Sequence, residues 1–216
     1  MIKLLVNNGG AQLIEFKSTG GSPLHAAISC ETESSEETLE VDRGQRAFET
    51  VSLLLSLYRG LGKDVKNLVN SKDPNGVAPL MLACFVGDIS VVQLLIESGS
   101  DPLLASTASN ATILHVCGER GFLEIAQMVL AKCPGLVYEV DHEKGNSPLH
   151  VATEWDYIEL VKLYAEVGGR QLAVELKNKK GFNSIDIAYQ NNTQASYSYL
   201  CKKFKVQRKC LFCEIF

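Results

Sequence analysis

The sequence predicts an all-α solenoid: stacked helix–turn–helix units with short β-turn or hairpin fingers and degenerate terminal units. Three observations predict it. A four-residue motif returns as Ala78-Pro79-Leu80-Met81, Thr112-Ile113-Leu114-His115 and Ser147-Pro148-Leu149-His150, its first residues 34 and then 35 positions apart. A turn signal precedes each motif, and two short segments of helical apolar period follow it. No such segment can bury its apolar face alone, so units of this kind hold together by stacking on their neighbours.

The chain opens with Ile2-Lys3-Leu4-Leu5-Val6 before Asn7-Asn8-Gly9-Gly10, which reads as the end of a second helix and its closing glycine. Two readings fit this partial unit, 1–16: a shortened cap, which a stack needs at its ends, or the start of a fragment. Gly20-Gly21-Ser22-Pro23-Leu24-His25-Ala26-Ala27 begins the first full unit, 17–72. The next motif starts at Ala78, 56 positions after Ser22, so this unit holds surplus residues. Most fall in an acidic insertion, 31–47, with Glu31, Glu33, Glu36, Glu37, Glu40 and Asp42 and few apolar residues; a few more surround Arg59 to Lys66. That composition predicts a disordered loop between two helices, either an inert solvated insertion or a regulatory, partner-binding one. Ser34 and Ser35 among these acids would suit an acid-directed kinase.

The second unit, 73–106, shows why the elements form. Asp73-Pro74-Asn75-Gly76 is a turn signal, since Pro fixes φ and Gly supplies positive φ without steric cost. Pro79 suits the first helical turn, where its missing N–H has no partner to lose. Leu80, Leu82, Ala83 and Cys84 give the first helix an apolar flank, Gly87-Asp88 ends it and caps the next, and Ile89, Val92, Leu95 and Ile96 recur on one helical face until Gly99. Units 107–140 and 141–176 follow at regular spacing, the latter with one added turn residue in Asp141-His142-Glu143-Lys144-Gly145. In 177–200, Asn183-Ser184-Ile185-Asp186 degrades the motif, and Tyr197, Leu200, Cys201 and Phe204 continue one face into a closing helix. A basic tail, 201–216, remains.

A period near 33 residues carrying a T-P-L-H-x-A core resembles the ankyrin repeat, a β-turn followed by two helices. The resemblance implies non-catalytic protein binding by an adaptor or targeting subunit, through turn tips and the exposed face of each first helix. Carried onto this chain, the helix positions are Phe85 and Val86, Glu119 and Arg120, Glu154 and Trp155, and Gln190 and Asn191, forming a strip along the concave side. The turn tips are Pro74, Asn75 and Val77; Ala108, Ser109 and Ala111; His142, Glu143, Lys144 and Asn146; Lys179, Lys180 and Phe182. The resemblance also places His25, His115 and His150, with the Ser or Thr before them, in a hydrogen-bond network bracing the turn. Their recurrence once per unit agrees, because side chains spread a unit apart cannot converge on a substrate. Trp155, the sole tryptophan, falls where such proteins face solvent; it serves either as a partner anchor or as packing for a neighbouring turn.

Composition excludes several classes. A net charge of −4 argues against nucleic acid as the main partner, and no apolar run reaches the length of a membrane span. The N-terminus lacks a signal-peptide layout, and seven cysteines form no disulfide framework, so a cytoplasmic, monomeric protein is expected, with Cys84 and Cys117 in the core. No phosphate-binding, zinc-protease or serine-hydrolase motif occurs, so no catalytic residue, metal or cofactor is expected. The lone Cys210-Leu211-Phe212-Cys213 pair lacks the partners that zinc requires. An enzyme, or a non-catalytic subunit of one, stays as the minor alternative, because fold and function are loosely linked.

Cys213-Glu214-Ile215-Phe216 fits a C-a-a-X end behind Lys202, Lys203, Lys205, Arg208 and Lys209, and Cys210 offers a palmitoylation point. One lipid chain plus a polybasic run anchors a protein stably, so a membrane-tethered scaffold is the second function. Glu214 is not aliphatic, and the other reading is a ragged, solvated end. Under lipidation, intact mass from the protein's own cells should show Cys213 prenylated and trimmed of its last three residues; an unmodified Cys213 would leave a soluble adaptor.

Overall fold

The computed structural model describes residues 6–7, 10–11, 21–29, 40–103 and 109–206. Ala108, the acidic residues 31–39, and the end of the chain with Cys210 and Cys213 lie outside these. The chain forms two compact units, Met1–Ala108 and Ser109–Phe216.

The N-terminal unit corrects the first expectation. Val6–Asn7 (β1) is extended, not the end of a helix, and pairs antiparallel with Gly10–Ala11 (β2), Val6 opposite Ala11 and Asn7 opposite Gly10. The two residues between them in sequence are Asn and Gly, the pair that tight hairpins favour, and that preference outweighs the helical reading of a short apolar run. Helix α1 (Pro23–Ser29) packs on α2 (Glu40–Gly60) and on α4 (Pro79–Val86), which packs on α5 (Ile89–Glu97); α3 (Val65–Val69) is a short helix between. The loop expected through Ala47 is a helix from Glu40 onward, and Ala47 itself is buried. Val51, Leu54 and Leu55 bury the inner face of α2, which anchors the helix and lets it extend into the acidic residues.

The sequence signals in 73–97 act as read. Pro79 occupies the first turn of α4, Gly87 closes it at φ 84°, and the Asp88 carboxylate accepts the Val91 N–H at 3.0 Å to start α5. Cys84 is fully buried, and burial pushes its thiol up to about 12, so it is inert packing rather than a nucleophile.

The described residues of the C-terminal unit form three helix pairs. They are α6 (Ile113–Arg120) with α7 (Leu123–Lys132), α8 (Pro148–Glu154) with α9 (Ile158–Arg170), and α10 (Ser184–Gln190) with α11 (Gln194–Phe204). The short first helices pack in the order α6, α8, α10, and α9 packs on both α7 and α11 behind them. Leu114, Cys117, Leu149, Ala152, Val161 and Ala188 fill the space between at no exposure. Gly118 permits the close approach of α6 to α8, since a Cβ there would stand 3.1 Å from the Pro148 carbonyl oxygen. Tyr164 lies in this core and spends its hydroxyl on the Leu114 carbonyl, 2.9 Å away, which removes the penalty of burying it.

Two details differ from the sequence reading. Extra helical turns follow the second helices: α3, a 3-10 turn at Pro134–Tyr138 and a π turn at Gln171–Glu175. Each tucks a pair of apolar residues under the stack: Leu68 and Val69, Leu136 and Val137, Leu172 and Ala173. Further, α11 runs to Phe204, so Cys201 to Phe204 belong to the last helix rather than to the tail, with Cys201 buried. Among the described residues no helix is long and apolar enough to cross a membrane.

Leu149→Ala should therefore leave a cavity between neighbouring helix pairs and cost about 2–5 kcal/mol. Hydrogen exchange is the check: protection should fall across α6 to α11 while α4 and α5 keep theirs. A uniform loss over the whole chain would contradict nearest-neighbour coupling.

Candidate protein-binding surface

The surface is set by what braces the turns. In α6, the His115 Nδ1 accepts from the Thr112 hydroxyl at 2.8 Å and from the Thr112 N–H at 3.1 Å. With Nδ1 an acceptor, the proton sits on Nε2, which donates to the Asn146 carbonyl of the next turn at 2.9 Å. His150 repeats this with Ser147 and the Phe182 carbonyl at 3.1 Å, and His25 with Ser22 and the Val77 carbonyl at 2.8 Å. Each imidazole caps its own helix and staples it to the following turn. The network implied by the motif is present at all three histidines.

In the turns headed by Asp73, Asp141 and Asn178, an acid or amide gathers the backbone. Asp73 accepts the N–H groups of Asn75 and Val77, and Asp141 those of Glu143, Lys144 and Asn146. Asn178 accepts those of Lys180 and Phe182. Adjacent turns are then joined edge to edge, since the His142 N–H donates to the Ser109 carbonyl at 2.8 Å and the Lys179 N–H to the Lys144 carbonyl at 2.9 Å. Asn146, expected at an exposed tip, is instead buried: its Oδ1 accepts from Asn178 and its carbonyl from His115. The requirement to pair a buried amide decides its place.

The predicted helix positions fall at the C-terminal ends of the first helices. Glu119, Arg120, Gln190 and Asn191 are exposed, and Glu154 is half-buried. Trp155 caps α8 with 56 % of its surface exposed. Because α8 lies between α6 and α10, the Trp155 end is flanked by the ends carrying Arg120 and Asn191. At the tips His142 and Lys144 are exposed, and the Lys144 ammonium stands 3.8 Å from the Glu154 carboxylate, linking tip to helix end. Phe182 is half-buried. In the N-terminal unit Phe85 and Val86 are exposed, with Ile89 beside them in sequence, while Asn75 is exposed and Val77 half-buried. Sequence reasoning missed Tyr157, which is exposed at 37 % and lies so close to Gly121 that a Cβ there would meet its ring at 2.8 Å. Its signal was the positive-φ Gly121, opposite an aromatic residue one unit later.

A family profile described as ankyrin repeats in three copies matches residues 41–138 and 80–170. The chain belongs to the ankyrin repeat family. Its ankyrin repeats are 24% identical over 185 residues to a Saccharomyces cerevisiae protein named "Probable 26S proteasome regulatory subunit p28", a match over 85% of this chain and 71% of that one. They are also 23% identical over 126 residues to Protein ACCELERATED CELL DEATH 6 of Arabidopsis thaliana, covering 58% of this chain and 19% of that protein. A third relative, the Ankyrin repeat and KH domain-containing protein mask of Drosophila melanogaster, is 32% identical over 106 residues, 49% of this chain and 2% of its own. Ankyrin repeats of this kind are protein–protein interaction modules.

The staples set an acid limit on this surface. Burial holds the His150 pKa down from 6.5 to about 4, partly opposed by its bond to the Phe182 carbonyl, and burial likewise lowers that of His115. The unfolded chain therefore binds more protons below pH 6.5, so stability is complete above that pH and falls as pH drops toward 4. For His150 alone the loss is roughly 3 kcal/mol. Urea midpoints taken between neutral pH and pH 4 should fall steadily. His150→Gln should be weaker at neutral pH but lose less on acidification; an unchanged slope would mean another group carries the effect.

Proposed function

We propose that this chain is a non-catalytic adaptor that holds a protein partner on its C-terminal unit. The contact is formed by Glu119, Arg120, Glu154, Trp155, Gln190 and Asn191, with His142 and Lys144 at its edge. The observation that carries the proposal is the exposure of Trp155 on the middle helix of three. An indole left more than half in water, on a helix end flanked by the ends carrying Arg120 and Asn191, exposes a large apolar surface. Trp and Arg are the residues on which interfaces concentrate their energy, and here both stand on a braced scaffold that loses little entropy on binding. The likeness to a protein named as a regulatory subunit of a large assembly supports an adaptor-like role.

The test is affinity capture from the native cell, with the bound partner then purified and titrated. Trp155→Ala and Arg120→Ala should each weaken the complex at least about tenfold while circular dichroism stays unchanged. Wild-type affinity in both variants would sink the proposal.

A further inference from the structure

The last helix pair carries a groove that the Trp155 strip touches only at Gln190. It is an open depression of about 440 Å³, walled by Phe182, Ile185, Tyr189 and Tyr197. In the preceding pair the matching face is covered: Thr153 of α8 is fully buried where α10 packs on α8. Tyr189 holds the same place in α10, yet it is half-exposed and lines the groove. Its ring leans on that of the buried Tyr197, centroids 5.9 Å apart and tilted by 50°, so the part-exposed Tyr189 and Phe182 supply the groove's aromatic surface. Asp186 and Gln190 set two polar groups among these apolar ones.

The margins are basic. Gly181 and Val206 edge the groove, and exposed Lys180 and Lys205 adjoin them in sequence. Residues 175–206 hold six lysines against Glu175 and Asp186, a net of +4 in a chain whose total is −4. Such a local reversal draws in anionic partners. The wall chemistry selects among them: a phosphate entering the groove would face the Asp186 carboxylate, whereas a peptide can offer that carboxylate a backbone N–H.

We propose that this groove docks an acidic peptide segment of a protein partner. One aromatic or leucine side chain sits among Phe182, Ile185 and Tyr189, a backbone N–H faces Asp186, and flanking carboxylates lie along Lys180 and Lys205. The site meets the Trp155 strip only at Gln190, and its apolar seat at Phe182, Ile185 and Tyr189 lies outside the proposed Trp155 contact.

Fluorescence anisotropy on the full chain tests it, using as probe a labelled peptide of Asp and Glu around one Phe. Binding should saturate, weaken at raised salt, and drop about tenfold when the probe's Phe becomes Ala. Lys180→Glu with Lys205→Glu should lower affinity by a similar factor, and Tyr189→Ser should do so with less change in the salt dependence. Both variants should keep their circular dichroism and their affinity for the partner held by Trp155, which separates failure here from failure there. Equal binding of the Phe and Ala probes would overturn the proposal. So would tighter binding of single-stranded RNA or of phosphatidylserine vesicles than of the peptide, or binding seen only after residues 207–216 are removed.

Discussion

A neutral imidazole that accepts at one nitrogen and donates at the other is the contact on which these helix pairs depend. In His115 and His150 the Nδ1 side closes the N-terminus of its own helix and the Nε2 side fixes the next turn. Both jobs require the ring to be uncharged, because a proton on Nδ1 would meet the hydroxyl and amide donors that now point at it. Burial enforces that state, at the cost of sensitivity to acid. Helix start, turn position and register between neighbours thus rest on one side chain per repeat.

Where that side chain is missing, the pattern changes. Met81 takes the place of the histidine in α4, and its side chain has no N–H to donate to a following turn. Asp186 takes the place in α10, where it still closes the capping box by accepting the Asn183 N–H at 3.1 Å but offers no donor to a following turn. Among the described residues no turn follows α11, so here the substitution leaves no turn unstapled. It also leaves the carboxylate as one wall of the groove between α10 and α11.

The binding surface follows from the same economy of contacts. Aspartate or asparagine at the head of a turn satisfies two or three backbone N–H groups, and bonds between adjacent turns hold the tips in a row. Residues at the ends of α6, α8 and α10 are left mostly exposed, so core packing constrains their choice little. The chain uses that freedom to place charge at Glu119 and Arg120 and an indole at Trp155.

Much of this was legible in the residues. The recurring motif fixed the repeat, its histidines and the buried leucines, because a unit that must stack repeats its contacts at its own period. The exposure of Trp155, Phe85 and Arg120 was legible for the complementary reason: the period marks which helix positions no neighbour touches. Other features were not. Asn146 reads as a turn-tip residue until its amide is seen pairing with Asn178, and the helix at Glu40 reads as loop until Val51 and Leu55 are seen anchoring it. The groove beside Tyr189 depends likewise on which surfaces meet and which are left open. The sequence by itself determined what recurs, since a periodic contact leaves a periodic trace. Only the tertiary structure decided what happens once, because a single contact between distant residues leaves no pattern in the chain.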